Sequence, residues 1–524
     1  MEKLEGGIAA ATKAVALPNL ANCDRLDSKG SAQFLSSRTI RSVLAVAAFL
    51  FFAFAPAISW AQATSASGSY VVTLTQGTAS LQPQNPFSGS VPQGKATPNV
   101  LPLSLKEAID RGLKQNLGLL LRAEGIPSAR GDLWKSRSEL LPNINTTTSE
   151  SAQQVDLATF GFDVSALDKL GVHIPPVVGP FSVFDTRAYL TQSIFNWQAI
   201  QQTRSSAQQV RAARFSYQDA RELVVFAVAS AYLQTVADSA RVVTDTAQRD
   251  TAQALYQQAA DQLKAGTTAA IDVFRAQVEL QSREQQLIAA RNDLAKQEIA
   301  LGRVIGLPTD QEFTLTDTAK YELLPKPSLD AALRQAYASR ADYQSALAQV
   351  RAATLARQAA VAGYYPSLST AVNYGDIGIS PGNSHGTLDA VAALNVPIFQ
   401  GGRVHGDVLA AEAALRQSRE LLENLRAQID QDVRNALLDM QSAADQVEVA
   451  RSSVDLAGQT LIQARDRFRA GVTDNIEVVQ AQQSVASANE SLISSLYAYN
   501  VSKVELGRAI GNAESGVQEY LKGR

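Results

Sequence analysis

The sequence predicts a mainly α-helical fold with a small membrane β part, in which one strand-helix repeat is built twice. Three observations predict it. The first is internal repetition, the feature to find before any fold is assigned. Ser104-Leu105 returns as Ser328-Leu329, and Leu141-Pro142 as Tyr365-Pro366, both 224 residues later. Ile194-Phe195 returns as Ile398-Phe399 after 204 residues, and Gly266, Gly302 and Gly306 return as Gly471, Gly507 and Gly511 after 205. The second is the stretch from Trp197 to Lys264, which holds neither proline nor glycine. As one helix it is roughly 100 Å long at 1.5 Å per residue, longer than any compact domain. The third is two-residue alternation: Leu388, Ala390 and Leu394 oppose Thr387, Asp389 and Asn395. That is the period of a strand with one apolar face.

In chain order, residues 1–63 read as an extended amino terminus and secretory signal peptide. Arg38 and Arg41 precede the apolar run Val43–Trp60, and Ala61-Gln62-Ala63 follows it as a small-x-small cleavage pattern. A single membrane anchor is the alternative reading of that run. Cys23 is the single cysteine and lies before the run. The mature chain is therefore expected without a thiol, disulfide or lipid anchor, held together by packing, sheet closure or association.

Residues 64–102, rich in Ser, Thr, Gln, Gly and Pro, read as a flexible lead-in. The first repeat spans 103–306. Ser104 and Glu107 form a capping box that opens a helix, and Gly125 and Pro127 predict a kink or break in it. Strands follow near 143–151 and 183–195, separated by a loop over 152–182. The long helix comes next, then another from about 269 to 305. After a connector at 307–327, the second repeat spans 328–511. Its opening helix lacks the proline, and its strands fall near 367–374 and 386–399. A tail of 512–524 ends the chain.

Geometry then forces an assembly. In each repeat two shorter helices of about 37 residues, stacked end to end, match one long helix. Four strands cannot close a barrel, and a bilayer leaves no strand edge unpaired. Barrels begin at eight strands; two chains supply eight with little lumen, and three supply twelve. The prediction is a trimer in which a 12-stranded β-barrel, four strands per chain, joins a long α-helical barrel.

Two doubled motifs carry a family resemblance. Leu190-Thr-Gln-Ser-Ile-Phe195-Asn-Trp197 is matched by Val396-Pro-Ile-Phe399-Gln-Gly-Gly-Arg403 at the strand-to-helix junctions. Leu263-Lys-Ala-Gly266-Thr-Thr-Ala-Ala-Ile-Asp272-Val273 is matched by Phe468-Arg-Ala-Gly471-Val-Thr-Asp-Asn-Ile-Glu477-Val478 at the helix turns. Over roughly 103–511 the chain resembles the TolC-like outer-membrane efflux, or channel-tunnel, family. The resemblance implies a homotrimer in the cell outer membrane with a periplasmic extension, in contact with outer-membrane lipid. It implies docking to a periplasmic adaptor (membrane fusion) protein and an inner-membrane pump or transporter, in tripartite efflux or type I secretion. No catalytic residues, cofactor or metal are implied.

Gly266 and Gly471 would then sit at the periplasmic tip turns. Phe195, Phe399, Gly401 and Gly402 would form the barrel-to-helix junction. Asp272 and Glu477 match the positions of acids that ring the closed entrance in the family. One turn on, where a further acid is usual, stand Arg275 and Gln480. Phe468 and Thr473 occupy positions where a tyrosine and an arginine often lock the tip. Asp272 and Glu477 read equally as residues of a solvated helix face.

Other classes are disfavoured. The formal net charge of −3 gives no basic face for nucleic acid. His173, His385 and His405 have no metal-ligand spacing, and Gly401-Gly402-Arg403 lacks the phosphate-loop frame. The alternative to a channel is a periplasmic coiled-coil adaptor or structural protein. Adaptors usually carry one long hairpin, whereas this chain has two, each preceded by paired strands.

Overall fold

The computed structural model describes residues 86–161, 175–317, 323–325, 327–473 and 475–516. The expected signal segment with Cys23, the lead-in before residue 86, and His173 lie outside them. Two long helices dominate. Helix α3, Trp197–Lys264, has 68 residues, and α7, Arg403–Arg469, has 67. Beside α3 lie α1 (Leu105–Gln115), α2 (Leu117–Ser138) and α4 (Ala270–Ile305), whose 11, 22 and 36 residues match its length. Beside α7 lie α5 (Leu329–Ser339), α6 (Ala341–Val361) and α8 (Asn475–Ala509), with 11, 21 and 35. The repeats interlock, because α3 packs against α6 and α8 as well as against its own partners.

The opening helices break where the sequence reading did not place the break. Pro127 lies inside α2, which runs on to Ser138, and its ring faces solvent. A missing N–H on an exposed face leaves its partner carbonyl to water, so the helix tolerates it. The break lies instead at Asn116, with φ −64° and ψ 128°. The second repeat breaks too, at Arg340, with φ −61° and ψ 122°. The stop glycines of the other helices explain both sites. Gly306 has φ +75°, and a Cβ there would collide with the Gln115 side chain. Gly511 has φ +72°, and a Cβ there would lie 2.7 Å from the Arg340 backbone nitrogen. Each repeat thus seats a left-handed glycine, a conformation other residues rarely adopt, against the break in its opening helix.

Apolar packing concentrates at this level. Val224, Val225, Val228 and Tyr232 of α3 are buried with Leu301 and Ile305 of α4 and Leu103. A second cluster joins Ile429, Val433 and Val447 of α7 to Tyr499 and Leu506 of α8 and Ala336 of α5. The described parts of the lead-in and connector pack at this level as well. Strand β1, Leu101–Leu103, pairs in parallel with β4, Phe313–Leu315. Phe87 packs on Gly118, and Asn116 donates to the Phe87 carbonyl at 2.7 Å.

The strands are β2 (Asn143–Asp156), β3 (Val177–Phe195), β5 (Ser367–Ser380) and β6 (Asn383–Asn395). They form one antiparallel sheet in the order β2-β3-β5-β6. The first hairpin extends through Asp156 and Val177, into both ends of the segment expected to be loop. Strand β6 stops at Asn395 rather than 399, where Pro397 removes a ladder donor.

The register sorts side chains by face. Ile144, Leu190, Val372 and Ala390 share one row, and Thr146, Ala188, Tyr374 and Leu388 the next on that face. The opposite face carries Asn145, Tyr189, Asn373 and Asp389 in one row, and Thr147, Arg187, Gly375 and Thr387 in the next. One face is largely apolar and the other polar, the division of a lipid side and a lumen side.

Candidate functional site at the helical tips and barrel junction

Both tip turns close alike. Ala265 and Ala470 end the long helices, followed by Gly266 at φ +74° and Gly471 at φ +70°. The Thr267 amide donates to Gln262 O, and the Val472 amide to Arg467 O, both outer bonds of a left-handed helix stop. Phe468 fills an apolar cluster with Ala464, Val478 and Ala481.

The two candidate acids have different surroundings. Asp272 sits in the first turn of α4, only 14% exposed at its side chain. It accepts from Thr268 Oγ1 at 3.0 Å and lies 3.4 Å from Arg275 Nη1. Its backbone carbonyl accepts from Asn475 Nδ2 at 3.1 Å, which ties the start of α4 to the start of α8. Asn475 is itself buried. Glu477 lies in the first turn of α8 and pairs with Arg467 across the turn at 3.1 Å. Two further acids are paired by helical spacing: Asp261 with Lys264 at 3.0 Å, and Asp466 with Arg469 at 3.6 Å. The Lys264 contact holds the Asp261 carboxyl below its ordinary pKa. These four described acids therefore each have a cation of the same chain within reach.

Gln480 is exposed, and Thr473 is half-buried. A cavity of about 400 Å³ beside Gln480 is lined by Ile271, Phe274, Val278, Ile476 and Val479, with Arg275 and Glu279 at its edge. Ile271, Phe274 and Val278 are exposed and form an apolar stripe. The sequence reading missed Arg467, Asn475 and this stripe. The stripe's i, i+3, i+7 spacing was visible, but its exposure was not.

At the barrel junction the repeats use different chemistry. Asn196 caps α3 by accepting from the Ala199 amide at 3.0 Å. Gly401 at φ +58° and Gly402 at φ +84° replace that cap before α7. Phe195 is partly exposed, and Phe399 is 88% exposed. His385 lies on β6, and His405 lies in the first turn of α7 beside the junction glycines.

A sequence model of the outer membrane efflux protein family matches residues 109–307 and 332–512. The chain belongs to that family. Both matched segments coincide with the structural repeats, and this excludes the adaptor alternative. Among known proteins it is similar to the probable outer membrane lipoprotein SilC of Salmonella typhimurium, at 25% identity over 258 residues. That alignment covers 48% of this chain and spans about half of the relative, 55%. It is similar also to the probable efflux pump outer membrane protein TtgC of Pseudomonas putida, at 24% identity, covering 78% of this chain and 83% of that protein. The Campylobacter jejuni CmeC outer membrane channel superposes with a TM-score of 0.67 at 18% identity, over 88% of this chain and 98% of that one. That likeness shows the fold: a helical barrel joined to a membrane β part.

Proposed function

We infer that three copies of this chain form a passive duct that carries small toxic molecules or secreted proteins from the periplasm across the outer membrane. The observation that carries this reading is the four-stranded sheet. It has an apolar face and a polar face, and its edges, β2 and β6, are open at both sides. In a bilayer those edges must pair, and a strand order that ends upward on β2 and downward on β6 pairs antiparallel with another copy. The two layers of roughly 100 Å helix continue the tube into the periplasm. No covalent step belongs to such a duct.

The tips fit docking to a periplasmic adaptor coupled to an inner-membrane pump or transporter, because the stripe of Ile271, Phe274 and Val278 is uncovered in the single chain. Asp272 and Glu477 line the narrow end in this reading, and Asn475 holds the two hairpins together there. Phe195, Phe399, Gly401 and Gly402 make the bend from barrel to helix.

Fractionation with heat-modifiable gel mobility, followed by planar-bilayer conductance, is the test. An outer-membrane trimer that conducts supports the reading, and a soluble periplasmic monomer overturns it. Asp272→Ala and Glu477→Ala trimers address the tip. Their divalent-cation sensitivity should differ from that of the natural chain, and unchanged sensitivity removes both residues from the pore.

A further inference from the structure

On the polar face of the sheet, one arginine lies flat across three strands. Arg187 of β3 donates from Nε to Asp185 Oδ1 at 3.0 Å and from Nη1 to Asn373 Oδ1 of β5 at 2.8 Å. It also donates from Nη2 to Thr387 Oγ1 of β6 at 3.2 Å. Asn373 passes the chain of bonds on, its Nδ2 lying 3.3 Å from Asp389 Oδ2 of β6. The register partner of Arg187 is Gly375, where a Cβ would lie 2.8 Å from the Arg187 Cβ and collide with the Thr186 carbonyl oxygen. A side chain there would collide with the backbone of β3 at Arg187. The Arg187 side chain is only 16% exposed. It is held by its neighbours rather than extended.

The charge does not cancel. Asp185 and Asp389 are two carboxylates, and Arg187 is one guanidinium, so each chain holds one uncompensated negative charge near mid-height of the sheet. Asp389 is reached only through the neutral amide of Asn373 and is exposed on the polar face. Charge fixed on the wall of a narrow aqueous pore, with low-dielectric surroundings, raises the local counter-ion concentration.

We propose that Asp185, Arg187, Asn373 and Asp389 form a charge-selectivity belt in the lumen of the membrane barrel that favours cations. The proposal rests on the duct reading, which makes the polar face the lumen. Reversal potentials across planar bilayers at low salt test it, with KCl at 10 mM against 100 mM, where the screening length is about 30 Å and 10 Å respectively. The two substitutions have opposite signs. Asp389→Asn removes the exposed carboxylate and should lower the K⁺/Cl⁻ permeability ratio by about twofold. Arg187→Gln leaves two unopposed carboxylates and should raise the ratio by about twofold, both effects shrinking at 1 M salt, where screening acts within about 3 Å.

Heat-modifiable trimers on gels confirm that both variants assemble. If Arg187→Gln does not assemble, Asp185→Asn takes its place and should lower the ratio as Asp389→Asn does. Absence of conductance from the natural chain overturns the duct reading itself. Conductance with an unchanged ratio in the assembled variants, or with Asp389→Asn and Arg187→Gln shifting it the same way, overturns the belt alone.

Discussion

Arg340 ties three helices together at the second repeat's break, and its removal should be strongly destabilising for a single truncation of a charged side chain. Its side chain is 8% exposed, and it binds Asp342 at 2.7 Å and Asp432 of α7 at 3.0 Å. It also donates to the Ala509 carbonyl of α8 at 3.4 Å. Burial by itself would push the guanidinium pKa down; the hydrogen bonds and charges of Asp342 and Asp432 outweigh it and hold the group above its ordinary value. Breaking a fully buried ion pair costs about 3–5 kcal/mol, because the surviving charge stays unpaired. Here the survivors have relief, since Asp342 is 22% and Asp432 37% exposed. Water hydrates them in part, so the expected cost of Arg340→Ala is about 2–3 kcal/mol.

Denaturant unfolding of the purified trimer, read by loss of heat-modifiable mobility and by tyrosine fluorescence, measures that cost. A double-mutant cycle with Asp342→Ala should return a coupling of about 1 kcal/mol or more. Hydrogen exchange should also speed at the Gln344 and Gly511 amides, which bond next to the break. Loss of less than about 0.5 kcal/mol, the range of ordinary surface substitutions, would refute the reasoning.

Two further substitutions probe the same level of the molecule. Tyr232→Phe removes a buried hydroxyl that lies 3.0 Å from the Leu103 carbonyl and 3.1 Å from Asp317 Oδ2. The Thr316 amide still serves Leu103, and the Leu105 amide still serves Asp317, so thermal unfolding should report only about 1 kcal/mol of loss; a loss above about 3 kcal/mol would mean that those amides do not compensate. Glu222 tests pH dependence. Burial raises its pKa above the ordinary 4.5, with Glu514 and Asp219 adding and the Ala513 and Glu514 amides opposing. A carboxyl raised on folding contributes stability below its unfolded pKa and loses it as pH rises through the folded value. Glu222→Gln should therefore flatten the stability decline just above pH 4.5 and equal or exceed the natural chain at neutral pH. Parallel pH curves for the two proteins would sink this account.

Much of the fold was legible because it follows from periodicity and punctuation. A proline-free, glycine-free stretch has few ways to end before Gly266, and α3 fills it. The glycines that recur at a fixed offset mark the same turns in both repeats. The helix breaks were not legible in the same way. Pro127 is the stronger local signal, yet its face is solvent and nothing forces the helix to stop there. Asn116 and Arg340 are weaker signals, and what decides them is tertiary: Gly306 and Gly511 press against the backbone or side chains beside them. An N-cap residue at Asn116, with a counterpart 224 residues on followed by Asp342, was the available clue. At the tips, the pairs Asp272–Arg275 and Asp261–Lys264 follow from helical spacing. Arg467–Glu477 does not, because it joins two helices across a turn.

The charge distribution bears on where ion preference resides in the duct. At the tip, Asp261, Asp272, Asp466 and Glu477 each have a partner, and Arg465 is a further cation whose pKa is lowered by burial and by Arg469. Fields of paired charges fall off faster than those of single ones, and most of these pairs are exposed to salt. In the barrel the excess is of one sign, and among the described residues Asp389 has no cation within ion-pair distance, its side chain meeting the Asn373 amide. If the tip set the preference, Glu477→Ala would move the reversal potential more than Asp389→Asn. Each substitution makes the fixed charge one unit more positive, so both shift the potential in the same direction, and the belt reading requires the larger shift from Asp389→Asn, which sits in the narrow barrel lumen.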